Sequence, residues 1–137
     1  MAEFNNCKKP NPQIQVGAMK KYFPDFTHTR KGNNIVFRGD MFVVPEIPIY
    51  TISIECGIDI HPKVHVIHPK LHEKTPHLYP HDKSLCLYHP CNFRWDARRI
   101  ITSEIIHWTA MWIYFYEYWL QTGKWLALEV PHNTKNK

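Results

Sequence analysis

The spacing of apolar and polar positions changes along the chain, and each change marks an element. From Gln13 to Phe23 the apolar residues Ile14, Val16, Ala18, Met19, Tyr22 and Phe23 suit a short helix, which Pro24 stops. Asn34 to Arg38, with Ile35, Val36 and Phe37, reads as a strand that turns through Gly39-Asp40 into a second, Met41 to Val44. Beyond Pro45 and Pro48, Ile49 to Cys56 alternates, with Tyr50, Ile52 and Ile54 on one face and Thr51, Ser53 and Glu55 on the other. Lys63 to His68 alternates again through Val64 and Val66. Short strands joined by turns predict an antiparallel meander. Residues 69–97 lose the period, and a loop of that length inside a compact domain points to function. From Ala97 to Gln121 the pattern is helical with apolar residues on most faces, as in a helix that is buried or packed on a partner. Gly123 suits a helix C-cap, and a short segment, Trp125 to Val130, precedes Pro131. Helix, strands, loop and helices in that order predict an α+β domain with its helices segregated from the sheet.

The 137 residues suit one domain with a real core, and an apolar share of 44% with 14% aromatic residues is a globular composition. We place a flexible polar arm at residues 1–12, a single domain at 13–132 and a polar tail at 133–137. The net charge of +5 is scattered and gives no nucleic-acid-binding face. The most apolar stretch, Trp108 to Tyr116, is far short of the roughly 20 residues of a membrane helix, so no membrane partner is expected. Met1 to Lys9 lacks the apolar run of a secretory signal, and Cys7, Cys56, Cys86 and Cys91 lack a secreted disulfide spacing. The expected location is therefore the cytoplasm, with reduced thiols.

Chemistry concentrates in the loop. Cys86 follows His77 and His81 and precedes His89 and Cys91, and imidazoles beside a thiol favour its thiolate. Three readings follow. Cys86 is a nucleophile that forms a thioester and passes the acyl group on, which needs an accessible thiol beside a rigid sheet and a donor for the tetrahedral oxyanion. It is a zinc ligand with His89 and Cys91, completed by His77 or His81. Or it is a small buried hydrophobe between Leu85 and Leu87, as expected for Cys56.

The residues of this region resemble those of the ubiquitin-conjugating enzymes, which run helix, four-stranded meander, long active-site loop and helices. Ile60-His61-Pro62-Lys63-Val64 is similar to the family's Pro-Pro-x-Val at the start of a strand, and Thr75-Pro76-His77-Leu78-Tyr79 to its His-Pro-Asn-x-Tyr. Cys86-Leu87 resembles the family's catalytic Cys-Leu, with Trp95 at the position of the tryptophan that follows. Trp108 through His132 resembles a narrower group, bacterial stand-alone ubiquitin-conjugating-like proteins encoded with cyclic-oligonucleotide-based anti-phage signalling systems.

The resemblance implies the ubiquitin-conjugating-like fold and a transferase in which Cys86 carries the acyl group; the alternatives are a non-catalytic binding scaffold of the same fold and a small zinc-binding interaction domain. The implied partner is the C-terminal tail of a cyclic-nucleotide-synthesising nucleotidyltransferase, and the final acceptor a target lysine or another nucleophile. His77 stands where the family has its asparagine, and an imidazole N–H donates to an oxyanion as an amide does. Tyr79 falls where the family has a tyrosine that desolvates the attacking lysine. His81 and His89 would tune the thiol or shuttle protons, and Tyr79 and Trp95 would shape the pocket. Cys91 is close enough in sequence to compete with Cys86 or to cap it. No cofactor is called for. The chain has no glycine-rich nucleotide loop, so activation of the carboxylate is expected from elsewhere. The aromatic run from Ile105 to Leu120 is expected to be mainly core, with part of it or the Trp125 region as a partner surface.

Overall fold

The computed structural model describes residues 12–57, 61–87 and 101–126. Cys7, His89, Cys91 and Trp95 lie outside the described residues. So do nearly all of the expected arm, the tail, the first residues of the expected long helix and most of the segment Trp125 to Val130.

Helix α1 spans Pro12–Tyr22, with proline in the first turn, where its missing N–H leaves no bond unmade. It buries a narrow stripe, Gln15, Val16 and Met19, and leaves Ile14 and Tyr22 exposed. The N–H of Phe23 closes the last turn on the carbonyl of Met19 at 2.8 Å. Strands β1 (Thr27–Lys31), β2 (Asn34–Met41), β3 (Tyr50–Cys56) and β4 (Lys63–His68) form one antiparallel sheet in sequential order. Helix α2, Ile101–Thr122, follows the long loop. The N–H of Gly123, at φ +79°, bonds the carbonyl of Trp119 at 2.8 Å and ends the helix as expected.

The α+β class and the four-stranded meander are as expected, but the first hairpin is corrected. Gly39-Asp40 is not a turn: β2 runs straight through it, with Gly39 opposite Ile52 and Asp40 opposite Thr51. Residues 42–44 are not a strand. The first strand is instead Thr27–Lys31, joined to β2 by Gly32-Asn33, where Gly32 takes φ +63° as the first central residue of a tight hairpin turn. All five β1 residues are exposed, so no alternation announced the strand. Gly39 answers to a close approach rather than a turn. A Cβ there would lie 2.5 Å from the ring of Phe26, which covers the backbone of β2.

The core lies on one face of the sheet. Phe37 of β2, Tyr50, Ile52 and Ile54 of β3 and Val64 of β4 are almost wholly buried, together with Ile105, Thr109, Ile113 and Tyr116 of α2. The alternation in β3 is complete, every second residue from Tyr50 to Cys56 facing the helices. Tyr50 anchors the sheet to α2, donating its hydroxyl hydrogen to the Glu117 carboxylate and meeting the Tyr116 ring edge-on at 6.4 Å. Burial, helped by that carboxylate, raises the Tyr50 pKa. Cys56 is buried as expected, its thiol pushed up to about 12 by desolvation. No helix among the described residues is long and apolar enough to cross a membrane.

Candidate functional site

Beyond β4 the chain is far from irregular. Residues 77–86 fold into a small hairpin. Leu78 and Leu85 form an antiparallel bridge, the N–H of Tyr79 bonds the carbonyl of Ser84 at 2.9 Å, and the N–H of Cys86 bonds the carbonyl of His77 at 2.9 Å. At the tip the N–H of Lys83 returns to the carbonyl of Tyr79 at 2.8 Å, and Lys83 takes φ +64°. The N–H of Leu85 donates to the carbonyl of Val64 at 2.8 Å, which ties the hairpin to β4. Leu85 is buried against the core, so the residue after it is held at the domain's edge by a fixed backbone.

Asp82 organises the tip. Its Oδ1 accepts from the N–H of Ser84 at 2.9 Å and from the Ser84 hydroxyl at 2.7 Å, an Asx-type turn legible in the Asp-x-Ser spacing. Its Oδ2 is shielded from solvent and has Lys63 Nζ and His81 Nε2 each 3.4 Å away. The Ser84 hydroxyl, with the Ser84 N–H and the nearby cations, holds the Asp82 carboxyl down to about 2. The carbonyl of Asp82 lies 2.9 Å from His65 Nε2 on β4. The tip and the start of β4 are therefore joined by side chains as well as by backbone.

A third grip comes from α2. Trp112, Tyr116 and Trp119 lie at helical spacing on one face and stack, with Trp112 and Tyr116 centroids 5.3 Å apart at 14°. The indole N–H of Trp112 donates to the carbonyl of His77 at 3.1 Å. One turn on, the Tyr116 hydroxyl oxygen accepts from the N–H of His72 at 2.8 Å, and the Trp119 ring meets His72 edge-on. The expectation that this helix is mainly core holds for Ile105, Trp112, Ile113 and Tyr116, and its aromatic stripe has the further role of clamping the loop. Met111, Tyr114 and Tyr118 face outward.

The hairpin makes Cys86 and His77 cross-strand neighbours at its base. Cys86 is half-buried. His77 is exposed and takes φ +57°, with its ring 4.7 Å from that of Trp125. Tyr79 stands two residues along the hairpin, half-buried, with the ring of exposed His81 6.0 Å away at the tip. His89 lies outside the described residues. An open cleft of about 310 Å³ runs between the hairpin and the start of β4, lined by His61, Pro62, Lys63, Tyr79, His81, Asp82, Ser84, Leu85 and Leu87. Leu85 and Leu87 flank Cys86 in sequence, so the cleft adjoins the thiol's segment on the Tyr79 side. Among the described residues no three His, Cys, Asp or Glu side chains converge on a point that could hold a metal ion.

Sequence reasoning missed Asp82, Ser84 and Trp112. The first two were visible as a turn signal, whereas the third depends on a contact across 35 positions that no local pattern carries. Residues 15–133 match the family described as Type II CBASS E2 protein. No curated protein matches the chain.

Proposed function

The chain belongs to the Type II CBASS E2 family, E2-like proteins of anti-phage signalling systems, and from that membership we propose that it is a cysteine-dependent acyl carrier and transferase with Cys86 as the nucleophile. The thiol sulfur attacks the carbonyl carbon of an activated C-terminal carboxyl group. The bond to the activating group breaks, that group leaves with the electron pair, and the thiol proton passes to solvent or to a neighbouring imidazole. An acceptor amine then attacks the thioester carbonyl, the new C–N bond forms, the amine's proton passes to solvent or to a neighbouring imidazole, and the C–S bond breaks with Cys86 leaving as the thiolate. The substrate in this reading is the C-terminal tail of the system's cyclic-nucleotide-synthesising nucleotidyltransferase. The acceptor is a protein lysine or another nucleophile, and the activated carboxyl group arrives from a separate activating protein.

In the same proposal His77 donates to the oxyanion, Tyr79 and the cleft receive the acceptor, and His81 and His89 serve proton movement. The observation that carries the reading is the backbone bond from Cys86 N–H to the His77 carbonyl. It makes half-buried Cys86 and exposed His77 backbone neighbours on a braced hairpin beside an open cleft, and a braced backbone at the thiol supports the pre-organisation acyl transfer needs.

The test is a covalent adduct, sensitive to reducing agent, between this protein and its nucleotidyltransferase in the presence of the other proteins of the system. Cys86→Ala should abolish the adduct and leave binding intact, while Cys91→Ala should keep both. An adduct that persists in Cys86→Ala and vanishes in Cys91→Ala would move the nucleophile to Cys91.

A further inference from the structure

The carbonyl of His77 accepts two hydrogen bonds, and their donors come from different parts of the fold. One is the N–H of Cys86 at 2.9 Å, across the hairpin; the other is the indole N–H of Trp112 at 3.1 Å, from α2. The first sets the hairpin's own register. The second fixes where that hairpin stands relative to the domain, because α2 is built into the core. Trp112 also reaches the other end of His77. The imidazole lies over Trp125 at 4.7 Å, and Trp125 meets Trp112 edge-on at 5.3 Å.

We propose that Trp112 is a positioning residue for Cys86 and His77, holding the thiol and the candidate oxyanion donor in register through the shared His77 carbonyl. The inference rests on the reading of Cys86 as an acyl carrier and names what fixes its geometry. Filling the core would leave the indole N–H to any acceptor, since a buried tryptophan needs one. Here the acceptor is a carbonyl already bonded to the Cys86 N–H, in a residue at φ +57° whose peptide orientation is set by an uncommon backbone state. Tyr116 and Trp119 of the same stripe meet His72, upstream of the hairpin, whereas the bond from Trp112 reaches the hairpin's base.

Two small probes separate positioning from packing and need no partner. Acylation by p-nitrophenyl acetate forms the S–C bond through a tetrahedral oxyanion and expels p-nitrophenolate. Alkylation by iodoacetamide displaces iodide with no oxyanion. Both rates are read at Cys86 by tandem mass spectrometry, whose fragment ions localise the label within the peptide and keep Cys7, Cys56 and Cys91 apart. In Trp112→Phe the ring against Tyr116 remains and the N–H is lost. Acylation should fall about 3- to 10-fold, the worth of one neutral hydrogen bond, while alkylation stays near the parent rate. Tyr114→Phe, on the exposed face of the same helix, should change neither rate.

Acylation unchanged in folded Trp112→Phe, or a parallel fall in both rates, would overturn the proposal. If Trp112→Phe lowers the melting temperature, benzothienylalanine at position 112, which keeps the indole shape and replaces N–H with sulfur, decides by the same ratio. Failure of the acyl-carrier reading would show separately, as an adduct that survives Cys86→Ala.

Discussion

Asp82→Asn removes one charge and keeps the side chain's shape, so it isolates what the ionised carboxylate contributes to the hairpin tip. Folding lowers the Asp82 pKa from 3.8 to about 2, chiefly through the Ser84 hydroxyl and then through the Ser84 N–H and the charges of His81 and Lys63. At about 1.4 kcal/mol per pH unit the shift is worth at most about 2.5 kcal/mol. The side chain remains 23% exposed and its cationic partners are more so. Solvent screening therefore reduces the expected contribution to about 1 kcal/mol.

The sign follows from linkage. A carboxyl group whose folded pKa is depressed adds stability that is complete above its unfolded pKa near 3.8 and is lost as the pH falls through about 2. The assay is urea unfolding of the parent and Asp82→Asn at a series of pH values from neutral to strongly acidic. The parent should be the more stable by about 1 kcal/mol at neutral pH, with the gap closing between roughly pH 4 and pH 2. A gap that is absent at neutral pH, or that stays constant through the acid limb, would refute the assignment of the tip's order to an ionised Asp82.

The sheet supplies a second prediction. Gly39→Ala puts a methyl group 2.5 Å from the Phe26 ring and should destabilise by about 1–3 kcal/mol in the same unfolding assay. The combination with Phe26→Ala should recover part of that loss, because the clash is with this ring. At the site, His77→Val should cost about 1–2 kcal/mol, because a β-branched residue resists the left-handed backbone at φ +57°, whereas His77→Asn should leave thermal stability unchanged.

What the sequence concealed has physical causes that differ from one element to the next. Strand β3 was legible to within one residue, its start falling at Tyr50 rather than Ile49, because one face is buried and the other is not, so burial imprinted a period of two. Strand β1 lies at the sheet's edge with every residue exposed, and its place in the sheet comes from hydrogen bonds to β2, which leave no mark on side-chain polarity. Gly39 misled because glycine answers equally to a turn and to a ring lying on the backbone, and only the distant Phe26 decides between them. The loop after β4 looked irregular because its order is held by Asp82, Trp112 and backbone carbonyls rather than by apolar period. The Asp-x-Ser turn could have been read locally; the bond from Trp112 could not.

Position 77 joins these two kinds of information. Its backbone must adopt a left-handed conformation, its carbonyl must accept from both Cys86 and Trp112, and its side chain stands exposed beside the Cys86 strand. The first demand favours Gly, Asn, Asp or His; the second is met by any residue's backbone. The ring contact with Trp125 separates His from Gly and Asn alike, and a side-chain donor in the proposed acyl transfer separates His and Asn from Gly. The family resemblance put an asparagine here, and the fold explains why a histidine can replace it without disturbing the hairpin. A glycine would satisfy the backbone equally well, so any loss of acyl transfer in a folded His77→Gly would be charged to the missing side chain. Restoration in His77→Asn would then show that a hydrogen-bond donor, rather than imidazole as such, is what the site uses.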